Sequence, residues 1–121
     1  MKSKAAKSKK ERCACEGGTL TKFVQPVILH ILSKEQVSGY QLIRLMTDYE
    51  MFLDDPPDPA GIYRYLKILE NRGLIVQQET SDQIGSPYEL TNAGRICLSS
   101  WQETLENYHR SIESLIAELQ A

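Results

Sequence analysis

Hydrophobic residues recur at helical spacing along most of the chain. The first apolar run has steps of three and four, which predicts a helix over about 21–34. Thr19 or Thr21 is placed to cap this helix, and Pro26 lies either in its first turn or at a kink. The chain therefore begins its ordered part with an amphipathic helix.

Two further helices follow at short intervals. A capping box that begins at Ser38 predicts a second helix over about 38–52, which a pair of prolines then stops. Asp58, directly before a proline, is a suitable N-cap for a third helix over 59–72, and Gly73 supplies its left-handed end.

A β-hairpin and one long helix complete the pattern. Residues 74–80 and 88–90 read as two strands joined by a polar loop, and Thr91 caps a helix over about 92–120. The apolar positions of this last helix alternate in steps of three and four: Leu98, Trp101, Leu105, Tyr108, Ile112, Leu115 and Leu119. Such a repeat is typical of a helix that packs along another helix. A helix about 43 Å long is too long for a small core, so we expect a second copy of the chain to cover it.

Three helices followed by a hairpin are the order of a winged helix. We therefore predict a mainly α fold with a small β-hairpin, in which a winged helix-turn-helix domain (19–91) precedes a C-terminal dimerisation helix (92–121). In a helix-turn-helix the second helix of the pair enters the DNA major groove, which here is the third helix of the chain. Its face opposite the buried stripe carries Ala60, Tyr63, Arg64, Lys67 and Asn71.

The residue types on this face suit duplex DNA. Arg64 is the best candidate for a bidentate contact with guanine, and Lys67 and Arg72 are candidates for phosphates. Ser86 lies in the predicted wing and is a further candidate contact. The alternative is that these residues form an ordinary solvated helix face.

Three segments resemble the PadR family of transcriptional regulators. Ser38-Gly39-Tyr40-Gln41-Leu42 is similar to the start of the family's second helix. Residues 62–75 are similar to its recognition helix and following strand, and residues 88–95 to the end of its wing. The resemblance implies a homodimeric DNA-binding regulator, usually a repressor, in which the third helix and wing contact an operator and the last helix makes the dimer. In some such proteins an aromatic residue of the last helix stacks on a flat effector, which makes Trp101 and Tyr108 candidate ligand contacts; the alternative for Trp101 is an anchor of the dimer core.

The sequence also departs from the family pattern. Pro59-Ala60-Gly61 stands where the recognition helix commonly opens with Ser or Thr, and residues 83–87 at the wing tip include no Arg or Lys. Asp54 and Asp55 add negative charge near the expected DNA face. The missing wing-tip charges favour an alternative function, a winged-helix module that binds proteins without specific DNA binding. The basic arm and the face that carries Arg64 and Lys67 oppose this alternative.

Charge is distributed unevenly along the chain. Residues 1–12 carry 6 − 1 = +5, and residues 13–121 carry 8 − 15 = −7. We predict a flexible basic arm over 1–18. Arms of this kind can bind phosphates, and a solvated tail is an equal alternative. No apolar run approaches the length of a membrane span and the N-terminus is unlike a secretory signal, so we expect a cytoplasmic protein without a membrane partner.

The three cysteines are candidates for a thiol-bound metal or a redox switch. Cys13 and Cys15 are two residues apart, and Cys97 is a candidate third ligand. The alternative is three unconnected thiols, with Cys97 buried as a small hydrophobic residue. The sequence has no Gly-rich phosphate loop, nucleophile elbow or metalloprotease motif, so we do not expect an enzyme.

Overall fold

The computed structural model describes residues 23–79 and 85–121. In this part of the chain four α-helices, one 3-10 helix and a two-stranded antiparallel hairpin follow one another. Their bounds are α1 Val24–Lys34, α2 Gly39–Met46, the 3-10 helix η1 Glu50–Phe52, α3 Pro59–Asn71, β1 Ile75–Gln77, β2 Tyr88–Leu90 and α4 Asn92–Gln120. The predicted fold class, a winged helix with a long C-terminal helix, is confirmed. The predicted basic arm lies outside the described residues.

Local hydrogen bonds explain where three of the helices begin. The Gln41 backbone N–H donates to Ser38 Oγ (3.3 Å), and the Ser38 N–H donates to Gln41 Oε1 (3.1 Å), which completes the predicted capping box. Asp58 Oδ2 accepts from the Gly61 N–H (3.1 Å), and Thr91 caps α4 in the same way. All three caps predicted at these positions are confirmed.

The start of α1 and the end of α2 differ from the prediction. Helix α1 begins at Val24 after Phe23, whose side chain makes no cap hydrogen bond, and Pro26 lies in its first turn. Thr19 and Thr21, the predicted caps, lie outside the described residues. The second helix ends at Met46 instead of residue 52. Backbone hydrogen bonds of a turn after Met46, and not the prolines, end this helix. The chain then forms η1, which places Phe52 in the core.

The hairpin is shorter than predicted on its first strand. Strand β1 covers three residues rather than 74–80, because Leu74 belongs to the turn that ends α3. Ile75 pairs with Leu90, and both side chains are buried, whereas Val76 faces outward. The largest fully buried side chains form one core contributed by α1, α2, η1, α3 and β1: Ile28, Leu29, Leu42, Met46, Phe52, Leu66, Leu69 and Ile75.

The end of α3 is a Schellman motif. The Leu74 N–H donates to Leu69 O (3.0 Å) and the Gly73 N–H donates to Glu70 O (3.0 Å). Gly73 has φ of 78°, a left-handed conformation that disfavours side chains with a Cβ. The glycine stop predicted from the sequence is therefore confirmed, with the last helical residue at Asn71.

Candidate nucleic-acid interface

One face of α3 is turned away from the core. Ile62, Leu66 and Leu69 are buried on its inner side. Six of the seven residues assigned to DNA from the sequence lie exposed on or just after this helix: Ala60, Tyr63, Arg64, Lys67, Asn71 and Arg72. We call these six residues the recognition surface. Among the described residues no carboxylate forms a salt bridge with Arg64, Lys67 or Arg72, so their charges face solvent.

Tyr63 also has a packing role that the sequence did not indicate. Gly39, the first residue of α2, is buried, and a Cβ built on it would lie 2.6 Å from Tyr63 Cε1. The tyrosine ring therefore rests directly on the α2 backbone. This contact fixes the ring while leaving 46% of the residue exposed on the recognition surface.

The base of the wing is attached at the same place. The Tyr88 N–H donates to Val37 O (2.8 Å), which forms a bridge between β2 and the residue that precedes the α2 cap. Burial, with smaller contributions from Glu70 and Tyr63, raises the pKa of Tyr88. Ser86 is half-buried, and its carbonyl accepts from Gln77 Nε2 (3.2 Å). The start of α2, the recognition surface and the wing base thus form one continuous region.

Helix α2 carries an exposed cation, Arg44, that was not among the candidates predicted from the sequence. The Arg44 guanidinium lies 5.9 Å from the ring centroid of Tyr40, and both side chains are exposed. Their i, i+4 spacing on the polar side of α2 was the available signal. Of the acidic residues near α3, Asp58 is engaged in capping and Asp54 is exposed.

Helix α4 divides into two parts along its apolar repeat. Cys97, Leu98 and Trp101 pack against the core of their own chain. The Tyr108 ring meets the Phe23 ring edge to face, with centroids 6.4 Å apart. Beyond it every residue of α4 is exposed, including the predicted dimer contacts Ile112, Leu115 and Leu119.

Trp101 is engaged within its own subunit. Its Nε1–H donates to Gln25 Oε1 (3.2 Å), and Gln25 is a buried polar residue of α1. The indole therefore satisfies the only polar side chain that α1 buries. A role for Trp101 or Tyr108 in the dimer or in effector binding stays a prediction.

A sequence profile of the PadR-like transcriptional regulator family matches residues 28–100, more than half of the chain. The match spans α1 to the first turns of α4 and includes the recognition surface and the hairpin. The chain belongs to the PadR-like family of transcriptional regulators. No curated protein is similar enough in sequence to match it.

Solved structures of the family share the fold. A PadR-like transcriptional regulator from Bacillus cereus has a TM-score of 0.69 at 21% identity, covering 81% of this chain and 95% of that one. A PadR-family regulator from Clostridium difficile has a TM-score of 0.64 at 19% identity, with coverage of 78% and 98%. Bacillus subtilis PadR, solved in complex with operator DNA, has a TM-score of 0.57 at 26% identity and covers 66% of this chain and 47% of that one.

Of the three cysteines, the described part of the chain contains one. Cys97 is a free, half-buried thiol, while Cys13 and Cys15 lie outside the described residues. Within residues 23–79 and 85–121 no three His, Cys, Asp or Glu residues are grouped as metal ligands would be. The metal or redox role of the cysteine trio stays a prediction. None of the described helices has the length and apolar character needed to span a bilayer.

Proposed function

We propose that this member of the family is a homodimeric repressor that binds a specific operator through the recognition surface and the wing. The main support is that α3 presents Arg64 and Lys67, which pair with no carboxylate among the described residues, together with the Asn71 amide. They lie beside a wing base that is hydrogen-bonded to Val37, the residue before the α2 cap. The relative from Bacillus subtilis, at 26% identity, was solved with operator DNA, which supports the same mode of binding here.

Each part of the recognition surface has a distinct role in this proposal. Arg64 reads a guanine, because a guanidinium can donate to O6 and N7 together. Lys67 and Arg72 neutralise phosphates, which set position and affinity but not sequence. Ala60 lets the first turn of α3 approach the duplex closely, and Tyr63 contacts a sugar or a thymine methyl from its place on Gly39. Asn71 and Ser86 flank this contact from the end of α3 and from the wing.

In this proposal the exposed end of α4 forms the surface that binds the second subunit. Residues 109–121 extend beyond the core and are exposed along their whole length. Ile112, Leu115 and Leu119 lie on one side of this extension, and Ile116, also exposed, widens the same stripe. Four large apolar side chains in water favour burial against an equivalent helix. Two copies joined here place their α3 helices for successive major grooves, about 34–36 Å apart.

DNA binding is tested by selecting fragments from random duplex DNA and titrating the selected operator. We expect Arg64→Ala to weaken specific binding by about 1–3 kcal/mol and to relax the preference at one base position. Arg110→Ala, which removes an exposed arginine from the far part of α4, is the matched control and should bind normally. A weak response to salt together with no enriched sequence would favour the protein-interaction module instead.

The dimer is tested separately, on the part of α4 that lies outside the core. Leu115→Asp places a charge in the exposed apolar stripe, and Ala117→Asp places the same charge about 200° away around the helix. We expect sedimentation equilibrium to show a monomer for Leu115→Asp and a dimer for Ala117→Asp. If Leu115→Asp is monomeric and still binds the operator with undiminished affinity, the dimer is not needed for function.

A further inference from the structure

The end of α3 and the start of α4 are joined through one threonine. Thr91 Oγ1 donates to Gly73 O (2.7 Å), and the Thr91 backbone N–H donates to Leu74 O (3.0 Å). The same Oγ1 accepts from the Gly94 N–H (3.0 Å) and so caps α4. One hydroxyl therefore ties the turn that ends the recognition helix to the first turn of the long helix.

The geometry of this junction leaves little freedom for movement. The α3 side is held by the two hydrogen bonds of the Schellman motif. On the α4 side, a Cβ on Gly94 would lie 2.2 Å from Leu74 O, so the two backbones are in direct contact. Along the described residues α3 packs mainly on α2 and β1, and α4 on α1 and β2, so the junction is the direct connection between α3 and α4.

We infer that Thr91 is a positioning residue that fixes the angle between α3 and α4 and thereby sets the half-site spacing of the operator. The inference rests on the proposed dimer and on its binding to DNA. The distance along α4 from its first turn to Leu115 is about 35 Å, so a tilt of about 5° at the junction moves α3 by about 3 Å relative to the partner. One base pair rises about 3.4 Å, so a tilt of this size is enough to change the preferred spacing.

Three substitutions at Thr91 separate its two hydrogen bonds. Thr91→Ser keeps both. Thr91→Asp keeps an acceptor for the Gly94 N–H but cannot donate to Gly73 O when ionised, and Thr91→Val loses both. Thr47→Val is the matched control, because Thr47 Oγ1 also donates to a carbonyl at 2.7 Å, but to Arg44 within the same helix end.

The first experiment varies the spacing between the two half-sites of the selected operator, one base pair at a time. We expect the unmodified protein, Thr91→Ser and Thr47→Val to prefer one spacing. For Thr91→Asp and Thr91→Val we expect this preference to fall about threefold to tenfold, because both lose the one side-chain hydrogen bond, to Gly73 O, that links α3 to α4. Single half-site affinity should stay unchanged within about twofold. Spacing selectivity that survives in Thr91→Asp would overturn the inference.

The second experiment needs no DNA. In a background of Cys13→Ser, Cys15→Ser and Cys97→Ser, a nitroxide on Lys67→Cys reports the distance between the two α3 helices of a dimer by pulsed electron resonance. We expect a narrow distance distribution that broadens when Thr91→Asp is added but not when Thr47→Val is added. An unchanged distribution would overturn the inference. If the distance distribution broadens in Thr91→Asp but the unmodified protein selects no operator, the role of Thr91 in fixing the angle between α3 and α4 is supported and the proposed DNA-binding function is refuted.

Discussion

A glycine-to-alanine change at Gly94 tests the packing between the hairpin and α4. Gly94 is the third residue of α4, and a Cβ there would lie 2.2 Å from Leu74 O and 2.5 Å from Leu90 Cδ1. Backbone and a fully packed leucine form this site, so neither neighbour can move aside easily. We therefore expect Gly94→Ala to destabilise the fold.

The magnitude follows from two opposing effects. Alanine favours the helix over glycine by up to about 1 kcal/mol. Forcing an extra methyl into a packed site typically costs about 1–3 kcal/mol, and a contact with a carbonyl well inside van der Waals distance belongs at the upper end. The net expectation is a loss of about 1–2 kcal/mol of unfolding free energy.

Gly61 offers a closely matched control. It is also the third residue of its helix, its N–H also donates to the N-cap side chain, and a Cβ there would meet nothing closer than 3.7 Å. Only the helical preference then acts, so Gly61→Ala should leave stability unchanged or raise it by up to about 1 kcal/mol. Urea unfolding followed by circular dichroism at one protein concentration measures both variants. A Gly94→Ala protein as stable as the unmodified chain would refute the argument from close approach.

Three further outcomes follow from other contacts. Trp101→Phe should cost about 1–3 kcal/mol in urea unfolding, because the buried Gln25 side chain loses its donor, and adding Gln25→Leu should recover part of this loss. Because burial raises the pKa of Tyr88, the unfolded chain releases this proton at a lower pH than the folded chain. The contribution of Tyr88 to the free energy of unfolding should therefore be fully present below about pH 10 and be lost as pH rises through the folded-state pKa. Tyr88→Phe should flatten that alkaline decline, and an unchanged slope would contradict the assigned cause. Gly39→Ala should displace the Tyr63 ring and weaken operator binding severalfold in a DNA titration, with little change in unfolding free energy, since a side chain can yield where backbone cannot.

The sequence by itself determined the elements and most of their ends. The caps at Ser38, Asp58 and Thr91 each depend on groups three residues apart, and the Gly73 stop depends on one backbone angle. Such signals act within a single turn, so they can be recognised in the sequence without knowledge of the tertiary packing. The outward face of α3 was predictable for the same reason, because helical spacing alone separates Arg64 from the buried stripe.

Only the tertiary structure decided how these elements meet. The 3.5-residue repeat of α4 does not distinguish a partner in the same chain from one in another, and the fold assigns Leu98 and Trp101 to their own core while leaving Leu115 exposed. The contact of Tyr63 with Gly39 joins residues 24 positions apart. The hydrogen bond from Thr91 Oγ1 to Gly73 O joins residues 18 positions apart. Contacts over such separations depend on where whole helices cross, and that is set by the packing of the entire core rather than by any local pattern.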